Sequence, residues 1–219
     1  MGAFKQSKPR TVASRPLRKR ILIVCEGEKT ETHYFKDFKI PSVSVIHGHG
    51  CNNKALIEFA VTEMKKASVR FDDVWCVFDR DDFPKDKLND AITKAESAGI
   101  RIAASNECFE LWYLLHFDFV SDQQTRKEYG TRLKAYLKPM GIEYNKQSLY
   151  QCLLDKLPIA IKNAKKLVEH HSLSKTNNTH TLLKCYPNLK FADTKPFTTV
   201  QDLVEDLITE LNKIGPPRE

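Results

Sequence analysis

Four apolar runs recur along the first half of the chain, and each is too continuous to be a strand with one face in water. They are ILIVCE at 21–26, VSVI at 43–46, DVWCVFD at 73–79 and IRIAAS at 100–105. The stretches between them, 30–39, 54–67 and 84–97, carry apolar residues at helical spacing, the last closed by Gly99. Strands without polar alternation are buried on both faces, and strands that alternate with helices are joined by crossovers. The expected fold is therefore α/β: a parallel sheet flanked by helices. Beyond Asp118 no such strand recurs, and helical patterns at 125–138, 147–156, 158–171 and 199–214 point to a mainly helical C-terminal appendage. The expected division is a disordered basic arm at 1–20, an α/β catalytic domain at 21–118 and a helical basic appendage at 119–219.

Charge sharpens that division. The chain carries a net +7, but unevenly: the arm holds seven basic residues and no acid, 21–120 nets −5, 121–190 nets +8 and 191–219 nets −3. An acidic block followed by a basic one is the arrangement a phosphate-handling protein needs. With 41% hydrophobic and 29% charged residues the chain is neither disordered nor fibrous. No apolar run approaches the roughly 18 residues of a membrane helix, and no apolar segment follows the basic start, so a cytoplasmic protein is expected. The six cysteines are spread without any C-x-x-C pair, which in a reducing compartment reads as free thiols.

In an open parallel sheet, ligands bind beyond the carboxyl ends of the strands. There the first run ends in Glu26-Gly27-Glu28 with Glu31 a turn later, the second in His47-Gly48-His49, the third in Asp79-Arg80-Asp81-Asp82, and the fourth in Ser105-Asn106-Glu107 with Glu110 beyond. Carboxylates converging from three strands repel one another unless cations neutralise them, and hard oxygen donors suit Mg²⁺ or Mn²⁺. Asp79-x-Asp81 leads this set, since alternate extended residues share a side. Glu31, Glu107 and Glu110 have the competing role of favouring helix N-termini.

CEGEKTETHYF, VFDRDDF, SNECFELWYLLHF and KPFTTVQDLVEDL, in this order, resemble the RloB-like family over about 20–215, and the first two resemble the Toprim domain more broadly. The resemblance implies a metal site at Glu26, Asp79 and Asp81, with Glu110 and His116 in the matching S-N-x-x-F-E-x-W stretch. Glu107 departs from the family pattern, which has proline there more often. The resemblance also implies a role in phage defence beside an ABC- or AAA-type ATPase partner.

The chemistry of the residues agrees with a nuclease acting on RNA (tRNA included) or DNA. Phosphodiester cleavage needs charge neutralised on phosphate and a water deprotonated, both of which carboxylate-held metal supplies. Glu26, on a sharp turn against the Asp pair, suits a general acid or base, and Gly27 admits a phosphate closely. Lys134, Lys138, Lys146, Lys156, Lys162, Lys165 and Lys166 form a basic block flanking the acidic edge, of which Lys134, Lys138, Lys162, Lys165 and Lys166 are the candidate nucleic-acid contacts, against the plain alternative of a solvated face. His47-x-His49-x-Cys51 lacks a fourth ligand for zinc and reads as a rim loop. His116 reads as a packed core histidine, Asn106 as auxiliary, and His170-His171 as solvated. No P-loop or G-x-G-x-x-G is present. The competing function is a non-catalytic Toprim-scaffold adaptor of an ATPase-containing defence complex. A topoisomerase-like component is disfavoured because no active-site tyrosine context stands out.

Overall fold

The computed structural model describes residues 17–80, 84–146, 148–172 and 194–213. Asp81, Asp82, most of the arm, Cys185 and the segment 173–193 lie outside the described residues.

All four apolar runs are strands: β1 (Ile21–Cys25), β2 (Val43–His47), β3 (Asp73–Asp79) and β4 (Arg101–Asn106). They pair in parallel in the order β2-β1-β3-β4. Between them run α1 (Thr30–Lys36), α2 (Asn53–Lys66) and α3 (Lys85–Ser97). β1, β3 and β4 are buried almost throughout because each face has its own hydrophobic core. On one face Leu22, Val24, Cys76 and Phe78 pack against Leu56, Ile57, Leu88 and Ile92 of α2 and α3. On the other, Ile21, Ile23, Trp75 and Val77 meet Tyr34 and Phe35 of α1 and the helices that follow β4. β2 is the edge strand and is only partly buried, in line with its polar Ser44 and His47.

The helices after β4 are α4 (Glu110–Leu114), α5 (Arg126–Leu137), α6 (Tyr150–Leu153), α7 (Leu157–Ser172) and α8 (Val200–Asn212). One core cluster takes in β1, β3, α1 and α4 together with Leu133, Tyr150, Leu167 and Leu203, so apolar burial is continuous across position 118. Leu203 and Leu207 of α8 are wholly buried in it, whereas Leu211 is exposed.

Three sequence readings need correction. A fifth strand, β5 (Phe197–Thr198), pairs antiparallel with the end of β4, so strand structure does recur after Asp118. It has only two residues, one of them a threonine, which leaves no apolar run to detect. Lys19 and Arg20, assigned to the arm, are tied down: the Lys19 amide donates to Glu210 (3.0 Å), its ammonium pairs with Asp73 (2.8 Å) and the Arg20 amide donates to Asp72 (2.8 Å). His171 is not simply solvated; its Nε2 lies 2.8 Å from the Pro196 carbonyl, and burial lowers its pKa.

Cys25, Cys51, Cys76, Cys108 and Cys152 are free. Burial pushes the Cys25, Cys76 and Cys108 thiols up, so they stay protonated and inert. Among the described residues no helix is long and apolar enough to cross a membrane.

Candidate functional site

The strand order reverses between β1 and β3: the chain leaves β1 toward β2 on one side and returns to β3 on the other. Such a switch point opens a crevice beyond the strand ends. In register Cys25 faces Val77, which puts Glu26 and Asp79 at the mouth of that crevice. The Glu26 amide donates to the Val77 carbonyl (2.9 Å), and its carboxylate accepts from the Asp79 amide (3.2 Å). The turn between β1 and α1 is held from behind, where the Thr32 hydroxyl donates to the Gly27 carbonyl (2.7 Å). A Cβ on Gly27 would collide with the Glu31 carboxylate, so glycine here keeps Glu31 folded against the turn.

The result is an open cleft of about 320 Å³ into which Glu26, Glu31, Asp79 and Glu110 all project. Three of the strand-end segments named from sequence thus converge. Glu110 is nearly buried and accepts from the Tyr144 hydroxyl at 2.9 Å. Burial, and then the Glu110 charge, push the Tyr144 phenol up, which keeps it a proton donor to that carboxylate. Asp79 pairs with Arg126 at 2.9 Å; the Asp79 side chain is 8% exposed and that of Arg126 42%.

The donor set is hard oxygen throughout, which fits Mg²⁺ or Mn²⁺ in chemistry. Among the described residues no group of three or more His, Cys, Asp or Glu could hold a metal ion. The third acid of the expected set, Asp81, lies outside the described residues.

The other candidates go elsewhere. Lys134 and Lys138 line a separate hollow with Tyr144, and Lys162, Lys165 and Lys166 line another on α7. Lys165 is paired with Glu205 (2.6 Å) and Lys166 lies over the Phe119 ring (4.2 Å). None of these five lysines lines the carboxylate cleft; its cations are Lys29, Arg126 and Lys146. Arg126 was legible only as the first residue of a capped helix: T-R-K-E forms a capping box, with Thr125 and Glu128 closing each other's backbone donors. Nothing in the sequence reports its pairing with an acid 47 positions earlier.

The His47 and His49 rings meet at 5.3 Å, with Phe59 against His49, and neither lines the cleft. Asn106 is wholly buried and donates to the Thr194 carbonyl (2.6 Å), a structural tie beside β5. Glu107 stands 3.8 Å from Lys195.

His116 is in the core, its Nδ1 3.0 Å from the Trp112 carbonyl and its ring against the Trp112 indole. Facing a carbonyl, Nδ1 carries the proton of the neutral ring. Burial lowers its pKa to about 4. The unfolded chain takes up a second ring proton near pH 6.5, so stability is complete above that value and falls as pH drops toward 4. The loss over that window is about 3 kcal/mol. Urea unfolding between pH 7 and 4.5 is expected to show this decline in the native chain and to lose most of it in His116→Gln. An equally steep decline in the variant would exclude His116 as its source.

A two-faced parallel sheet with carboxylates gathered at its switch point defines the class: an α/β protein with an acidic site at its strand ends. More specifically, residues 21–207 match the family model described as RloB-like protein, and the chain belongs to the RloB-like family. Neither the curated proteins nor the solved structures returned a match.

Proposed function

We propose that this protein is a metal-dependent nuclease acting as an effector of phage defence, with a Toprim-type site. The observation that carries the reading is the placement of Glu26 and Asp79, joined through the Asp79 amide, at the switch-point crevice that also receives Glu110. Family membership supports the defence role. Glu26 and Asp79, with Asp81, would hold a Mg²⁺ or Mn²⁺ ion, which when bound supplies charge neutralisation at phosphate and acidifies water. Glu26 also serves as the acid or base, its carboxylate fixed by the Asp79 amide at the cleft mouth. Glu110, oriented by Tyr144, forms the second carboxylate wall. A host must restrain such an activity, and a partner ATPase is the proposed source of that restraint.

The Asp79–Arg126 pair favours a second reading, in which a fixed cation takes the place of a metal and the chain is a non-catalytic adaptor of the ATPase. Incubating the full chain with labelled RNA, tRNA and DNA, with Mn²⁺ or with chelator, separates the two. Cleavage that requires the ion supports the nuclease. No cleavage of any of them, with the ATPase present as well as absent, supports the adaptor.

A further inference from the structure

Of the three cations that line the carboxylate cleft, Arg126 and Lys146 are supplied by the segment that follows the fourth strand, and local contacts fix the backbone of each. Arg126 is the first residue of α5, fixed there by the Thr125–Glu128 capping box. It reaches across to Asp79 yet keeps much of its side chain open to the cleft. Lys146 adopts φ 66°, a left-handed conformation that is costly for a residue with a Cβ. The turn that adopts it is fastened at its carbonyl, which accepts from the Thr30 hydroxyl at 3.2 Å. Thr30 begins α1, directly after the Glu26 turn, so one short segment sets both the acid and the lysine opposite it. The lysine side chain is exposed and lines the cleft with the carboxylates.

The exposed Lys29 and Lys146 and the partly exposed Arg126 face several acids, which fits a ligand that brings negative charge of its own, alongside a cation on the carboxylates. We infer that Arg126 and Lys146 are the phosphate-positioning pair for a nucleic-acid backbone, a step that rests on the nuclease reading of this cleft. Arg126 covers Asp79 in the resting protein and turns its guanidinium to a phosphate oxygen when the backbone enters. Tyr144 extends the track. Its hydroxyl holds Glu110 inside the cleft, while its ring lines the hollow of Lys134 and Lys138. The neighbouring phosphate is therefore led from Lys146 past Tyr144 to those two lysines.

The alternative is that Arg126 merely neutralises Asp79, and the two are separable in a background without that acid. Binding of a short fluorescent oligoribonucleotide is measured by anisotropy in chelator, on full-length protein, so that no hydrolysis contributes. Asp79→Asn is expected to bind more tightly than the native chain, because a repelling charge is gone and Arg126 is released. Adding Arg126→Ala or Lys146→Ala to D79N should each weaken binding about tenfold, as loss of a charge-assisted phosphate contact does. Each should also lower the slope of log affinity against log salt by about 0.7, the value for one contact on a single strand. Arg126→Lys and Lys146→Arg should restore the slope, which a purely structural role would not produce. Circular dichroism verifies that each variant is folded. The inference is overturned if D79N fails to bind RNA, or if both double variants bind as D79N does with the same slope. Cleavage by the native chain with Mn²⁺ is scored separately. Loss of cleavage with binding still dependent on Arg126 and Lys146 would retire the nuclease reading and leave the phosphate grip standing.

Discussion

Asp79→Ala is expected to reduce phosphodiester cleavage roughly a thousandfold or more, as removal of a central catalytic group does, while the protein stays folded. The fold should survive because of how the residue is held. Its strand contacts belong to the backbone: the Asp79 amide still meets Glu26, and β3 keeps its register with β1 and β4. The lost ion pair leaves Arg126 partly exposed rather than stranded in the core. Removing one acid from a cleft shared with Glu26, Glu31 and Glu110 also relieves repulsion. Stability should therefore change by no more than about 1 kcal/mol. Asp81→Ala is expected to match it in activity. Thermal unfolding measured beside the cleavage rate checks both halves; full activity in either variant removes these residues from the mechanism.

Tyr34→Ala should act in the opposite way, through packing. The Tyr34 ring meets those of Phe35, Phe38, Phe109, Trp112, Tyr113 and Tyr150, all edge-on. It therefore joins α1, α4 and α6 at one point. Truncating such a ring costs about 3–5 kcal/mol through lost contacts and a residual cavity. In a chain of this size that lowers the melting temperature by roughly 10 °C. The damage should reach the site as well. Phe109 lines the cleft, and Tyr150 anchors the end of the segment that carries Tyr144 and Lys146. Tyr34→Phe preserves the ring and should restore most of the stability. If Tyr34→Ala melts with the native chain, this aromatic cluster is not what seats the C-terminal segment on the sheet.

The contrast between these variants marks what the sequence could express. β1, β3 and β4 were legible because a strand covered on both faces must be apolar at every position, which leaves an unbroken run. Glu26, Asp79 and Glu110 were legible for a related reason: acids that follow such runs have one place to go, the carboxyl edge of the sheet. β5 was hidden because two residues stitched to the end of β4 require no apolar run. The cations were hidden for a deeper reason. A lysine-rich block shows that 121–190 is basic, but not which side chains turn inward. Lys165 is taken up by Glu205 and Lys166 by a phenylalanine ring, while Arg126 and Lys146 reach the cleft because a capping box and a threonine hydroxyl aim them there. The Thr30–Lys146 contact spans 116 residues and the Arg126–Asp79 pair 47, and no local pattern encodes either.

The central claim is the proposal that Glu26 and Asp79, with Asp81, hold a hard divalent cation for work on phosphate. Calorimetric titration of Mn²⁺ into the metal-free full-length protein tests it most directly, with Asp79→Ala titrated in parallel and Mg²⁺ as competitor. The expected result is saturable binding by the native chain, displaced by Mg²⁺ and lost in the variant. No saturable binding, or binding that Asp79→Ala leaves intact, would contradict it.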